Sequence, residues 1–163
     1  MNGAVPEKTA SFLNFMKLTQ EYKVVVAGAD LRPAILALLQ ENDLTIIDID
    51  ETKDLFACLH DGEVIGTGGL ELFRDCALLR SISVRKDLQK KGLGKFIVGE
   101  LEKLTGQRGI RSLYLLTITA KDFFAKEGYD TIDREEAPIE IKNTTEFSFA
   151  CPSTATVMRK FLS

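Results

Sequence analysis

The chain has 163 residues, 45% hydrophobic and 28% charged, with a net charge of −3. That balance fits one ordinary globular domain; it excludes a disordered, collagen-like or coiled-coil chain and argues against a generic nucleic-acid binder, which would be basic. No apolar run nears the roughly 18–20 residues of a membrane span, no basic-then-apolar leader opens the chain, and Cys58, Cys76 and Cys151 with one histidine, His60, point to reduced thiols in a cytoplasmic protein, with neither a disulfide framework nor a zinc site.

Residues 1–21 read as an N-terminal extension, and residues 22–163 as a single domain. In the extension Phe12, Phe15, Met16 and Thr19 fall on one face of a short helix, and Met16 is an alternative start. YKVVVA (22–27) is a strand. Asp30 as N-cap, Pro33 in the first turn and Ile35, Leu36, Leu38 and Leu39 behind them predict a helix over 31–41. After an acidic, irregular stretch (42–53) comes a meander of strands at 55–60, 63–73 and 76–84. Asp61-Gly62 makes its first turn, and Gly66, Gly68 and Gly69 mark a bulge in its second strand.

The period then changes. Leu93, Phe96, Ile97, Leu101 and Leu104 form a helical stripe from about Gly92 to the glycines at 106 and 109. A buried strand (112–118) leads to a helix (119–127) closed by Gly128. A short strand (129–133), one or two helical turns (138–146) and a last strand (154–161) complete the chain. An exposed last strand would offer an edge to a second copy, hence a homodimer. The order β–α–βββ–α–β–α–β–β is α/β (α+β), a mainly antiparallel sheet with helices packed on it.

The strongest local signal is Gln89-Lys90-Lys91-Gly92-Leu93-Gly94, between the strand ending at Val84 and the helix beginning near Gly92. The first N–H groups of a helix lack intrahelical acceptors and, with the helix dipole, attract anions. Two glycines let the backbone approach a phosphate closely. Arg85, Lys86, Lys90, Lys91 and Lys95 stand around them with only Asp87 opposed, on a chain acidic overall. A phosphate-bearing ligand explains that local inversion; a glycine-initiated helix with a solvated basic turn is the plainer alternative. The string is neither a dinucleotide fingerprint nor a P-loop.

In this place the hexapeptide resembles the acetyl-CoA signature Q/R-x-x-G-x-G/A of the GNAT-superfamily N-acetyltransferases, and Ile82-Ser83-Val84 resembles the hydrophobic-x-Val ending of the family's preceding strand. The resemblance extends over about residues 22–162. LTITAKDFFAKEGY (116–129) is similar to a stretch in the catalytic domain of N-acetylglutamate synthases, departing from it at Ile118 and Tyr129. Segments 77–81, 115–124 and 146–152 resemble small stand-alone GNAT proteins associated with arsenic-resistance operons.

The resemblance implies a GNAT fold of about seven strands, splayed between the fourth and fifth. It implies acetyl-CoA as cosubstrate and no metal. Backbone N–H groups of Lys91 to Lys95 would hold the pyrophosphate, in a loop built by Gln89, Lys90, Gly92, Leu93 and Gly94. Ile82, Ser83 and Val84 would flank the pantetheine arm. Phe124 stands where many members carry a general-acid Tyr, and Thr117 where many carry an Asn. A thiol of pKa about 8.5 leaves tolerably well without an acid.

For the acceptor, Glu71 is the candidate general base, its bland alternative being an exposed strand Glu. By the period of two, Leu78, Arg80, Ile82 and Val84 share a face. An Arg among apolar neighbours is costly unless paired. Arg80 is therefore either a fork for a substrate carboxylate or the partner of Glu71, and the two are compatible if substrate shares the pair. Thr117 and Thr119 offer hydroxyls to substrate or pantetheine. His60 reads as a surface residue, and a reactive role for Cys151 would need Cys58 or Cys76 nearby. The expected function is acetylation of a small amine, an amino acid or analogue, by direct attack in a ternary complex. The alternatives are acetylation of a protein N-terminus or lysine, and a non-catalytic acyl-CoA-binding sensor. Neither nucleic acid nor membrane is an expected partner.

Overall fold

In a computed structural model, which describes residues 7–150 and 152–163, seven strands form one sheet: β1 (Lys23–Val26), β2 (Asp54–His60), β3 (Glu63–Leu72), β4 (Cys76–Val84), β5 (Ser112–Thr117), β6 (Asp130–Ile132) and β7 (Thr156–Phe161). Their order is β1-β2-β3-β4-β5-β7-β6. Every pairing is antiparallel except β4 with β5, which run parallel and pair only over Cys76–Leu78 and Ser112–Tyr114. Beyond Leu78 the two strands part, so the sheet opens into a wedge towards Val84 and Thr117. The expected seven-strand sheet, splayed between its fourth and fifth strands, is the one observed.

Helices α2 (Arg32–Glu41), α3 (Leu93–Gln107), α4 (Lys121–Lys126) and α5 (Ile139–Lys142) cover the sheet. Alternation along the strands sorts the core. Phe56, Cys58, Ala77, Leu79, Leu113 and Leu115 point to the face packed by Phe96, Ile97 and Leu101 of α3 and by Phe124 of α4. Leu55 and Ala57 meet Ile35 and Leu39 of α2 on the other face. Cys76, Leu78, Tyr114 and Leu116 meet Ile141 of α5 on that same face. Glycine in β3 lets α3 come close: a Cβ at Gly68 would lie 2.5 Å from Leu101 Cδ1. Across the wedge, Tyr129 donates its hydroxyl to Glu102 Oε1 of α3 at 3.0 Å, and Lys160 of β7 holds the same carboxylate at 3.0 Å.

The Asp61-Gly62 turn is present, with φ of +49° and +78°, the left-handed pair that a tight hairpin needs. The bulge expected in β3 is present: Cys58 pairs with Gly66 but Leu59 with Val64, so Ile65 is extra there. A second bulge lies on the other partner strand. Thr67 pairs with Ser83 but Gly69 with Arg80, so β4 carries one extra residue, and Ser81 has φ +56°. The buried Thr67 hydroxyl donates to the Ser81 carbonyl at 2.7 Å and braces the bulge. A bulge reverses the alternation beyond it. This corrects the expectation that Leu78, Arg80, Ile82 and Val84 share a face: Arg80 follows Leu78 and Cys76, whereas Ile82 and Val84 turn to the α3 side.

Other expectations change too. Asp30 does not cap α2. The turn closed by Leu31 N–H to Gly28 C=O at 3.2 Å already brings Leu31 to helical angles, and Leu31 is the N-cap. The helix expected over 119–127 is the shorter α4, because Thr117 Oγ1 accepts from the Ala120 N–H at 2.9 Å and holds the lead-in as a turn. The last strand is not an exposed edge: β7 lies between β5 and β6, and the edges belong to β1 and β6. The extension contains helix α1 (Glu7–Glu21), which docks through Leu18, with Tyr22 following, onto the α3-side core. Met16 and Thr19 are exposed, so the buried stripe differs from the one expected; the Phe12 and Phe15 side chains lie outside the described residues. Among the described residues no helix is long and apolar enough to cross a membrane.

A β-branched side chain in a left-handed conformation costs about 1–2 kcal/mol. Ser81→Val is therefore expected to lower the thermal midpoint by about 2–8 °C for a chain of this size, while Ser81→Gly leaves it unchanged or raised. Thermal unfolding of both variants followed by circular dichroism checks this.

Candidate active site

The wedge is bounded at its open end by the loop from β4 to α3. Lys90 and Gly92 both have positive φ, +64° and +87°. Alternating left-handed residues turn successive N–H groups to the same side, a concavity that suits anions. Among the described residues the N–H groups of Lys90 to Lys95 have no hydrogen-bond acceptor, and the first helical bond is from Phe96 to Gly92 C=O at 3.0 Å. Gly94 packs against Phe123, which would lie 3.3 Å from a Cβ there. Lys86, Lys90, Lys91 and Lys95 are exposed around the loop. Arg85 is committed instead to Asp87 and Glu63, at 2.7 and 2.9 Å.

Gln89 anchors the loop: its Nε2 donates to Val84 C=O at 3.0 Å. The same carbonyl accepts from Asn42 Nδ2 at 3.0 Å, and Asn42 also donates to Ser83 Oγ. The end of α2 is thereby tied to the end of β4. Ile82, Ser83 and Val84 line the wedge on the β4 side. On the β5 side Thr117 is buried with its hydroxyl engaged as described, whereas Thr119 is exposed. Phe124 is buried edge-on between Phe123 and Tyr129.

Arg80 is 3% exposed, on the face of the sheet opposite α3. Its guanidinium faces Asp48 with both terminal nitrogens, one contact at 2.6 Å. Nη1 also donates to Glu71 Oε2 at 3.0 Å, and Nε lies 3.5 Å from Glu146 Oε2. Glu71, 12% exposed at its side chain, is thus the foreseen partner and not a solvated strand Glu. Neither Asp48 nor Glu146 was singled out as a site residue, although the acidic stretch at 42–53 holds the first and the segment 146–152 begins with the second. Burial alone would raise the Asp48 pKa, but the hydrogen bond and charge of Arg80 prevail and hold it below the ordinary carboxylate value. Burial likewise acts to lower the Arg80 pKa, and the three carboxylates more than reverse it.

Glu71 also reaches a cavity of about 360 Å³ on this face, lined with it by Lys53, Phe73, Glu140, Asn143 and Thr145. Lys53 Nζ stands 3.8 Å from Glu71 Oε1. Cys58 and Cys76 take no part. Cys58 and Cys76 lie in clusters on opposite faces, their thiols pushed up by burial to about 12 and about 11. Cys151 lies outside the described residues. His60 sits half-exposed against Tyr22, ring centroids 4.9 Å apart. Tyr129 is buried and bonded to Glu102, and burial with that carboxylate raises its phenol pKa.

Comparison with known proteins agrees with this geometry. The family described as "Acetyltransferase (GNAT) family" matches residues 16–129. An uncharacterized N-acetyltransferase of Chlorobaculum tepidum is 29% identical over 94 residues, 57% of this chain and 60% of the relative, so the chain spans less than two thirds of that protein. A Bacillus subtilis protein named as an acetyltransferase is 30% identical over 131 residues, 76% of this chain and 87% of its own. The fold is shared with N-acetylglutamate synthase from Neisseria gonorrhoeae complexed with coenzyme A and N-acetyl-glutamate. That likeness has a TM-score of 0.75 at 20% identity, over 87% of this chain and 35% of the synthase. Rv2747 from Mycobacterium tuberculosis, in complex with CoA and NLQ, gives 0.72 at 21% identity, over 86% and 99%.

Removing Arg80 strands three buried carboxylates, and breaking such a cluster costs about 3–5 kcal/mol. Arg80→Met is expected to lose that much at neutral pH. Asp48 has a depressed pKa in the fold, so its stabilisation is complete above the unfolded carboxylate value and fades as pH falls through the folded one. The advantage of the wild type over Asp48→Asn should therefore be flat above about pH 5 and shrink below about pH 4. Urea unfolding across pH measures both effects.

Proposed function

The chain belongs to the acetyltransferase (GNAT) family, and we propose that it acetylates the amine of a small molecule, an amino acid or analogue, by direct attack in a ternary complex with acetyl-CoA. The observation that carries this reading is the row of acceptor-less N–H groups at Lys90–Lys95 at the open end of the wedge, with Glu71 opposite Leu78, where the β4–β5 pairing ends. Acetyl-CoA supplies an activated acetyl group as a thioester whose thiolate is the leaving group.

The loop from Gln89 to Lys95 holds the pyrophosphate through backbone N–H groups, with Gly92 supplying the left-handed turn and Leu93 anchoring the helix start in the core. Ile82, Ser83 and Val84 present the strand edge to the pantetheine arm. The Val84 carbonyl is already engaged by Asn42 and Gln89, so its N–H is the group left for that role. Phe124 closes the apolar side of the wedge, and Thr117 and Thr119 border its mouth. Glu71 takes the proton from the incoming ammonium, directly or through water, as the amine nitrogen bonds to the carbonyl carbon and the C–S bond breaks. Arg80 orients Glu71 through Nη1; a substrate carboxylate reaches Arg80 only by sharing it with Asp48.

Phe124 and the engaged Thr117 hydroxyl offer no side-chain acid to the thiolate, which keeps the acyl-CoA sensor as the second reading. Free-thiol release from acetyl-CoA against amino acids, polyamines and short peptides decides between them; amino acids lead the panel because a fold neighbour holds N-acetyl-glutamate beside coenzyme A. Turnover with an amine supports the transferase, and tight acetyl-CoA binding without release on any acceptor supports the sensor. Gly92→Val, which forces a β-branched residue to φ near +87°, should weaken acetyl-CoA at least tenfold by calorimetry. Glu71→Gln should lower kcat/KM in the thiol-release assay by about 10²-fold or more.

A further inference from the structure

We propose that Lys53 and Glu71 together read a zwitterion, Lys53 taking the carboxylate of an α-amino acid while Glu71 receives its ammonium. This deepens the reading given above and rests on it for the identity of the reacting amine. The argument begins with Arg80, which has no fork to spare. A carboxylate fork needs two parallel N–H groups, and the paired edge of this guanidinium already faces Asp48, with Glu71 on Nη1 and Ser81 and Glu146 beside Nε.

Lys53 is placed differently. Its side chain is only 14% exposed, so the ammonium is held at the cavity and not free in solvent. Its nearest carboxylate oxygens are Asp50 Oδ1 at 3.7 Å and Glu71 Oε1 at 3.8 Å. Among the described residues its ammonium donates within 3.5 Å to Thr52 Oγ1 alone, at 3.3 Å. Charge-assisted N–H···O bonds run about 2.7–2.9 Å, so both ion pairs are loose and the ammonium has donors unused. Glu71 mirrors this: Oε2 is bonded to Arg80, while Oε1 looks towards Lys53 across the gap.

A cation and an anion thus stand side by side at a cavity of about 360 Å³, each with bonding capacity left over. An α-amino acid carries the complementary pair on one carbon. Its entry exchanges one long ion pair for two short ones. An amine with no carboxylate would occupy Glu71 and leave Lys53 beside a like charge, which disfavours it. The arrangement selects amino acids over simple amines and sets the amino group against Glu71, the proposed base.

The test is calorimetric titration of the CoA-saturated protein with the standard amino acids and their α-amides. At least one amino acid is expected to bind the wild type at least tenfold tighter than its amide. Lys53→Met should erase that gap by weakening the acid alone, and Lys53→Arg should restore part of it, with thermal midpoints recorded for both. Equal binding of acid and amide to the wild type, loss of both alike in Lys53→Met, or no amino-acid binding up to millimolar concentration would each overturn the proposal. The acid–amide comparison needs no variant, so it stands even if Lys53→Met folds poorly. Amino-acid binding that depends on Lys53 but gives no thiol release would sink the transferase reading and leave the Lys53 assignment standing.

Discussion

A guanidinium in the middle of a sheet is tolerable only where carboxylates come to meet it, and that constraint organises one whole face of this molecule. The partners of Arg80 come from three separate places: Asp48 from the loop after α2, Glu71 from the neighbouring strand, and Glu146 from the segment before β7. Asp48 and Glu146 thereby fasten their segments to the strands that carry Arg80 and Glu71. The cluster is not an economical source of stability, since desolvating four charges is expensive. It works as a locator: the segments that carry Asp48 and Glu146 are held beside the cavity at Glu71 and Lys53 because Arg80 cannot be left alone.

Where Arg80 points depends in turn on a single residue. Ser81 adopts a left-handed conformation, and the extra residue it creates in β4 sends Arg80 to one face and Ile82 and Val84 to the other. In the function proposed above, one strand would thereby serve two ligands, the acceptor before the bulge and the pantetheine arm after it. Asn42 links the two, bonding Ser83 and Val84 beyond the bulge from the end of the helix whose following loop carries Asp48.

Local chemistry was legible and long-range chemistry was not. Gln89 to Gly94 could be read because glycine spacing at a helix start has few purposes, and Asp61-Gly62 because a left-handed pair demands such residues. The β3 bulge could be read from its glycines, since the extra residue Ile65 precedes Gly66; the second bulge, on β4, could not be placed, since a serine does not advertise positive φ. Glu71 was found as the Arg80 partner because a meander puts neighbours in register. Asp48 and Glu146 sit 32 and 66 positions from Arg80 (80 − 48 and 146 − 80), and no periodic pattern reaches that far. Asp30 shows the opposite failure: its residue type suits a cap, but the chain was already turning one residue later.

The three-residue pairing of β4 with β5 leaves the sheet as two blocks, β1–β4 and β5–β7–β6, cross-braced by little backbone hydrogen bonding. Helix α3 spans the seam, and Glu102, clasped by Tyr129 and Lys160, fastens the second block to it. Such a molecule has a line of least cooperativity, and that line coincides with the wedge. A ligand seated there by main-chain hydrogen bonds would act as a missing strand: it would knit the blocks into one unit and slow amide hydrogen exchange far from its own contacts.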